Sequence, residues 1–403
     1  MPVLPQIRKV VEPASSSLHL VNSSATWNLP DWSQRIPALD GLRGIAILLV
    51  LLQHSVFGLE SASPWVRRLL ATGRLAWSGV DLFFVLSGFL IGGILLDARE
   101  SPRYYSTFYA RRAFRILPLY WLVTTLFLLR HLNIPWMPKV LGDSSPLNIP
   151  ALAYLTFTQA FFMVRQGWYG APGLAVTWSL AVEEQYYLIA PLLIRKVSTR
   201  KLPWVLGFTI VAAPFLRLLS RHVLAHGDYA CYVLMPCRAD ALCLGILAAY
   251  LVRRPAFWTQ LTTRRDLLLG TTAAFFLGIV FLIERNYNQF SWDMTVWGYS
   301  LLAFFYTCCL LIAVSSHQGW WHRVLCHPWL MRLGTLAYCL YLLHYPLIQT
   351  GRRVAASVFH GHPEAAYLVG AGFGVAIALA LAMLSWRYFE KPMLRRGHRY
   401  QYF

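Results

Sequence analysis

Charged residues are scarce in this sequence, and acidic residues are the scarcer kind. Only 13% of the 403 residues are charged, whereas a soluble globular protein carries roughly 25%. Hydrophobic residues make up 57% of the chain. This composition excludes a disordered chain or a disulfide scaffold, and it is untypical of a cytosolic enzyme. It is typical of an integral membrane protein.

Paired cysteines, metal-ligand spacings and a signal peptide are also absent from the sequence. The seven cysteines form no C-x-x-C pair and no Cys/His ligand pattern, so we expect packing thiols and no metal site. Residues 1–35 lack the basic and apolar regions of a signal peptide and are predicted to be a tail. Lys and Arg exceed Asp and Glu by 36 to 17. We assign this excess to cytoplasmic loops and not to a nucleic-acid partner.

Long apolar runs, in contrast, are numerous. A bilayer core of roughly 30 Å takes about 20 mostly apolar residues per helix. Ten runs approach this length, and they lie near 40–57, 76–96, 114–130, 175–194, 203–220, 232–252, 267–284, 295–314, 333–350 and 365–388. A further run, 149–164, is marginal in length. We predict that it forms a re-entrant or interfacial helix.

The basic residues favour ten crossings over eleven. Ten spans place most of the loop Lys and Arg on the cytoplasmic side, whereas an eleventh span would place most of them outside. The sequence therefore predicts an all-α integral membrane protein with about ten transmembrane helices and both termini cytoplasmic. Its predicted parts are a cytoplasmic tail over 1–35, a membrane domain over 36–393 and a basic cytoplasmic tail over 394–403.

Ionisable residues within the predicted spans are functional candidates, because a charge in the bilayer core costs several kcal/mol. The first span contains Asp40, Arg43 and His54. Arg43 and His54 are separated by three helical turns plus about 20°, which puts them on one face with roughly 16 Å of rise between them. We favour a functional role for His54, which lies deep in its apolar run.

A basic cluster stands where the third span is predicted to begin. Arg112 and Arg115 are three residues apart and share a helix face, and Arg111 precedes them. These arginines suit a cytoplasmic anchor of the helix. They equally suit a clamp for phosphate groups, which the planar guanidinium fork binds well.

Further ionisable residues are predicted near the outer side. Glu183 and Glu184 are adjacent, and one of them is expected to pair with Arg238. The residues expected to meet there in one layer with His54 are Asp81, Glu183 or Glu184, Arg238, Asp240 and His344. Because Arg112 and Arg115 would lie across the membrane from this layer, the arrangement suits either a transporter or a transmembrane transferase.

Six segments, in order, resemble the acyltransferase-3 family of membrane acyltransferases. The segment from Leu39 to Ala46, followed by His54, is similar to the family's Arg-x10-His signature. The other matching segments are Gly79–Leu90, Arg112–Trp121, Trp178–Gln185, Tyr341–Pro346 and Phe389–Pro392. The resemblance extends over roughly residues 36–393.

The resemblance implies transfer of an acyl group, usually acetyl, from cytosolic acyl-CoA to a hydroxyl of a sugar or another acceptor. It also implies a bacterial inner-membrane location, with acyl-CoA as a substrate and no permanently bound cofactor. Some members carry a fused extracytoplasmic SGNH-type domain, which this sequence does not show. We therefore expect a carbohydrate or lipid-linked glycan acceptor, or a separate extracytoplasmic transferase that takes over the acyl group.

These implications give the candidate residues their roles. Arg111, Arg112 and Arg115 would bind the phosphates of acyl-CoA, and His54 would deprotonate the acceptor or accept the acyl group itself. The other catalytic candidates are Arg43, Glu183 and His344. Supporting candidates are Asp40, Asp81, Ser87, Trp178, Glu184, Arg238, Asp240 and Tyr341. The alternatives are a proton-coupled transporter and a non-catalytic relative that binds acyl-CoA or a glycan.

Overall fold

The protein is a bundle of helices in the computed structural model. The structure describes residues 30, 32, 34–56, 58–59, 73–130, 148–286, 288–316 and 318–403. Most of the predicted tail over 1–35 lies outside the described residues. All regular secondary structure in the described ranges is helical, as predicted.

The α-helices differ widely in length. They are α1 (Pro37–Val56), α2 (Gly79–Asp97), α3 (Tyr104–Arg130), α4 (Ala151–Leu155), α5 (Gln159–Gln166), α6 (Trp178–Lys196), α7 (Leu202–Val223), α8 (Gly227–Val233), α9 (Met235–Val252), α10 (Pro255–Thr263), α11 (Arg265–Arg285), α12 (Tyr299–Ser315), α13 (Trp320–Leu325), α14 (Pro328–Val358), α15 (Pro363–Ser385) and α16 (Lys391–Gly397). Short 3-10 helices, Gly73–Ser78 and Pro172–Thr177, lead into α2 and α6. π-helical turns at Met294–Gly298 and Trp386–Glu390 lead into α12 and α16.

Eight helices of the described chain are long and apolar enough to cross a membrane, which confirms an integral membrane protein. The two remaining predicted spans correspond to α6 and α14, which contain 19 and 31 residues but are more polar. Side chains on one stripe of α7 are exposed as lipid contact would require, and they are Trp204, Phe208, Val211, Phe215 and Leu219. The number of ten crossings stays a prediction.

The marginal run 149–164 is broken in the structure. It forms α4 and α5, of five and eight residues, separated at Phe157, whose φ is +58°. A helix of eight residues is about 12 Å long, far short of a bilayer core. The segment therefore does not cross as one helix, in agreement with the predicted re-entrant or interfacial role.

Glycines allow α1 and α14 to pack with their backbones in contact. A Cβ atom on Gly44 would lie 2.2 Å from the carbonyl oxygen of Leu330, and one on Gly334 would lie 2.0 Å from that of Asp40. Any larger residue would push the helices apart, as at other small-residue contacts between membrane helices. This close approach brings α1 and α14, which are far apart in the sequence, together beside the candidate site.

The ten-crossing topology predicts that the α6–α7 and α14–α15 loops lie on opposite sides of the membrane. We expect Ser198→Cys to react with an impermeant maleimide only from the cytoplasmic side, and His360→Cys only from the other side. Both positions are exposed in their loops. Labelling of sealed, oriented vesicles checks this, and reaction of both thiols from one side would overturn the count.

Candidate functional site

Three adjoining cavities run through the bundle along α1. The first, the entrance cavity, has a volume of about 2170 Å³ and is lined by six arginines, namely Arg35, Arg43, Arg111, Arg112, Arg115 and Arg253. The middle cavity, of about 870 Å³, shares Arg43, Arg112 and Arg115 with it. The histidine cavity, of about 760 Å³, contains His54 and adjoins the middle cavity at Val80 and Tyr341. One helix thus places Arg43 in the entrance and middle cavities and His54 in the adjoining histidine cavity.

The arginine cluster lies within α3 and not at its start. The third span was predicted near 114–130, and the helix that contains it, α3, begins ten residues earlier, at Tyr104. The preceding residues are too polar to extend an apolar run, yet they continue the helix. Arg111, Arg112 and Arg115 consequently project from the second to fourth turns of a rigid helix into the entrance cavity.

Arg112 and Arg115 form no salt bridge with any residue that the structure describes. Asp40, which lines the same cavity, instead accepts hydrogen bonds from Arg35 at 2.6 Å and Arg43 at 3.4 Å. Burial, and then Arg111, Arg112 and Arg115, lower the pKa of His398, which also lines the entrance cavity. Guanidinium groups without carboxylate partners in an open cavity form a site suited to a phosphorylated anion.

Glu183 lies in the middle cavity, and the prediction that Glu183 or Glu184 pairs with Arg238 is wrong. The Ser87 hydroxyl donates to Glu183 Oε1 at 2.6 Å, and the Tyr187 hydroxyl lies 3.4 Å from Oε2. Three of the arginines that line the entrance, Arg43, Arg112 and Arg115, also line this cavity. Glu183 is therefore a carboxylate held opposite the arginine cluster. Glu184 has a buried Oε1 atom with no hydrogen-bond partner among the described residues.

Two buried ion pairs lie in the core and involve neither His54 nor His344. Arg238 donates to Asp81, and Arg217 donates to Asp240 at 2.9 Å. Asp240 also accepts the Ser300 hydroxyl at 2.6 Å. None of these side chains lines the histidine cavity. They join α2, α7, α9 and α12, and their charges are matched within the core.

The Arg217–Asp240 pair gives a prediction about stability. Asp240→Ala would leave a fully buried guanidinium without its counter-charge, so we expect a loss of about 3–5 kcal/mol in the free energy of unfolding. The matched control is Asp97→Ala, because Asp97 is half exposed and binds Arg253 at 2.7 Å near the surface. Its loss should stay within about 1 kcal/mol. Thermal unfolding in detergent checks both, and equal losses would contradict the structural role.

His54 and His344 form a hydrogen-bonded pair across α1 and α14. His344 Nδ1 lies 2.8 Å from the Tyr341 carbonyl and 3.1 Å from that of Leu340, so it carries a proton. In the neutral ring His344 Nε2 is then an acceptor, and it lies 3.2 Å from His54 Nδ1. His54 Nδ1 also lies 3.0 Å from the Val50 carbonyl. This network assigns the proton of His54 to Nδ1 and leaves the Nε2 lone pair unused by described residues.

Two arginines were missed in the sequence. Arg352 donates from Nη2 to the His54 carbonyl at 2.8 Å, and its guanidinium lies 3.6 Å over the Tyr367 ring. It lies just beyond the predicted span 333–350, where the rule for charges inside spans does not reach. Arg217 lies inside the predicted span 203–220, where the rule that singled out Arg43 also applies.

Aromatic rings and amides line the histidine cavity. Its described walls contain no Lys, Arg, Asp or Glu. The polar side chains include His54, Gln53 and Gln289. The aromatic residues are Trp77, Tyr169, Trp178, Tyr232, Tyr341 and Tyr345. The Tyr341 hydroxyl, at the junction with the middle cavity, is held by Ser179 at 2.5 Å and the Val176 carbonyl at 3.1 Å. These walls favour a neutral ligand over a charged one.

Comparison with known proteins agrees with the motifs. The acyltransferase-3 model, described as an acyltransferase domain, matches residues 36–387. A protein provisionally named an O-acetyltransferase, from Staphylococcus aureus strain COL, is 27% identical over 90% of this chain. The O-acetyltransferase OatA of Staphylococcus aureus strain NCTC 8325 is 24% identical, also over 90% of the chain. The chain spans 58% of the length of these relatives. No solved structure matches it. With the motifs, the helical membrane fold and this match in agreement, the chain belongs to the acyltransferase-3 family.

Proposed function

We propose that this protein is a membrane O-acyltransferase. It moves an acyl group, which we take to be acetyl, from acyl-CoA to a hydroxyl of a carbohydrate or glycoconjugate. The observation that carries the proposal is a series of adjoining cavities. Arg112 and Arg115, which form no salt bridge with a described residue, line one part of it, and His54, whose Nε2 has no described partner, lines another. The family and the O-acetyltransferase relatives support acyl transfer. In this proposal the entrance cavity faces the cytosol and the protein resides in a bacterial inner membrane.

The donor would bind with its phosphates in the entrance cavity. Arg112 and Arg115 face both the entrance and the middle cavity, so they would hold the diphosphate while the pantetheine arm extends inward. Arg43 lines the route of the arm, and Glu183 faces the arginines across the middle cavity. Charge-assisted hydrogen bonds of this kind contribute roughly 1.5–3 kcal/mol each.

The chemistry would take place at His54. Its Nε2 accepts the proton of the acceptor hydroxyl as the oxygen attacks the thioester carbonyl carbon. The carbon–sulfur bond then breaks, an ester forms, and the departing thiolate takes the proton from the imidazolium. His344 acts as a positioning residue, because its hydrogen bond holds His54 in the tautomer that exposes Nε2. An acyl-imidazole route would instead leave label on the protein.

The acceptor would bind in the histidine cavity. Sugar rings present C–H faces that pack on aromatic side chains, and their hydroxyls pair with amides such as Gln53 and Gln289. Because the described walls contain no Lys or Arg, we assign the acceptor unit to neutral sugars. Uronic acids and phosphorylated sugars would lose their hydration there without gaining a counter-charge.

The test uses purified protein in nanodiscs with radiolabelled acetyl-CoA. We expect release of CoA and transfer of label to a neutral oligosaccharide, with little transfer to a uronic acid oligomer of equal length. Equal use of both acceptors would contradict the neutral acceptor site. If the protein neither binds nor consumes acyl-CoA with any acceptor, the acyltransferase proposal fails and a transporter becomes the better account.

A further inference from the structure

The segment after α16, residues 398–403, packs along α3 through hydrogen bonds. Three consecutive carbonyls of this segment accept hydrogen bonds from side chains on or just before α3. Ser101 donates to the Tyr402 carbonyl, Thr107 to that of Gln401 at 2.9 Å, and Arg111 to that of Tyr400 at 2.9 Å. The side chains of Ser101 and Thr107 are almost fully buried by this contact. The segment is therefore an integral part of the fold at the entrance cavity.

Arg111 is held at two points by this segment. Its Nε donates to the Tyr400 carbonyl, and its guanidinium lies 5.0 Å from the centre of the Tyr402 ring. The Nη atoms of Arg111 make no hydrogen bond with a described residue. Because these contacts already hold Arg111 in one orientation, its side chain loses less conformational entropy when it binds an anion.

The place of these residues along the path indicates which part of the donor they meet. Tyr402, His398 and Arg111 line the entrance cavity but not the middle cavity, whereas Arg112 and Arg115 line both. A group bound beside Tyr402 is thus farther from His54 than one bound between Arg112 and Arg115. In a CoA thioester the part farthest from the acyl group is the phosphorylated nucleoside.

We propose that the segment His398–Tyr402 forms a fixed wall of the nucleotide end of the donor site, and that Tyr402 is a positioning residue that holds Arg111 toward the nucleotide phosphates. This inference rests on the proposed function, because it concerns the same donor. It adds a determinant of donor recognition that belongs to none of the six motifs. It also separates recognition of the nucleotide from recognition of the thioester arm.

The test compares acetyl-CoA with S-acetylpantetheine, which has the same thioester and arm but no nucleotide. Tyr402→Ala should raise the KM for acetyl-CoA about five- to tenfold, a change between those of an exposed and a desolvated cation–π contact. The kcat should stay unchanged, and so should kcat/KM for S-acetylpantetheine. Tyr402→Phe, which retains the ring, should restore the wild-type KM. The matched control is Phe403→Ala, because Phe403 is 79% exposed.

Direct binding of CoA by calorimetry keeps this inference separate from the proposed function. Wild-type protein that binds no CoA would overturn both. Wild-type protein that binds CoA, with an unchanged affinity in Tyr402→Ala, would overturn the inference alone. An equal loss with both donors would also overturn it, since it would indicate general damage to the fold. Thr107→Val, which removes the hydrogen bond to Gln401, should weaken CoA binding in the same direction.

Discussion

Replacing His54 by alanine is expected to abolish acyl transfer while leaving acyl-CoA binding intact. General base catalysis by a positioned side chain contributes typically 10²- to 10⁴-fold, so turnover should fall by at least about a hundredfold. The affinity for CoA should not change, because the arginines that would hold its phosphates line another part of the path. Rates of CoA release and equilibrium CoA binding, measured on the same nanodisc preparation, check both statements.

Two matched variants sharpen this prediction. His360→Ala removes an exposed histidine from a loop outside the cavities and should leave turnover unchanged. His344→Ala removes the acceptor for His54 Nδ1 but leaves the Val50 carbonyl, so kcat should fall less than in His54→Ala. Wild-type turnover in His54→Ala would place the chemistry elsewhere. A loss of CoA binding in that variant would mean that His54 contributes to the donor site instead.

Loss of both arginines at the boundary of the entrance and middle cavities should weaken acyl-CoA binding on the order of a hundredfold. Each charge-assisted contact contributes roughly 1.5–3 kcal/mol, and tenfold in affinity corresponds to about 1.4 kcal/mol. Arg112→Ala combined with Arg115→Ala removes two such donors without breaking a salt bridge within the described chain. Expression and thermal stability should therefore stay close to wild type.

The matched control for this double variant is Arg264→Ala with Arg265→Ala. It removes the same charge from two exposed positions at the junction of α10 and α11, which line none of the three cavities. Arg112→Lys combined with Arg115→Lys should give intermediate affinity, since lysine keeps the charge but lacks the planar fork. An unchanged affinity in the alanine variant would remove the phosphate clamp from the account.

The helices, and the position of Arg43 and His54 on one face of α1, could be predicted from the sequence. Both depend on local periodicity. Apolar runs identify buried or lipid-facing helices, and the spacing of Arg43 and His54 fixes their common face. The pairings between helices could not be predicted in this way. Arg238 joins Asp81 and not Glu183, because α2 and α9 pack directly together while Glu183 faces the middle cavity.

Other parts of the site depend on contacts over long sequence distances. His344 was singled out as an intramembrane histidine, but its hydrogen bond to His54 depends on the close packing of α1 and α14. Tyr400 and Tyr402 accept hydrogen bonds through their backbone carbonyls from side chains on or just before α3. Every residue has a carbonyl, so no sequence pattern identifies these contacts. Hydrophobic periodicity gives no information on such contacts.

The most direct test of the central claim, a single path that delivers the acyl group to His54, is affinity labelling with bromoacetyl-CoA. Its reactive carbon lies next to the thioester carbonyl, where a histidine nitrogen can displace bromide. We predict alkylation of His54 as mapped by mass spectrometry, protection by excess CoA, and loss of labelling in Arg112→Ala with Arg115→Ala. Labelling confined to other residues, or labelling of His54 that CoA does not block, would contradict the account.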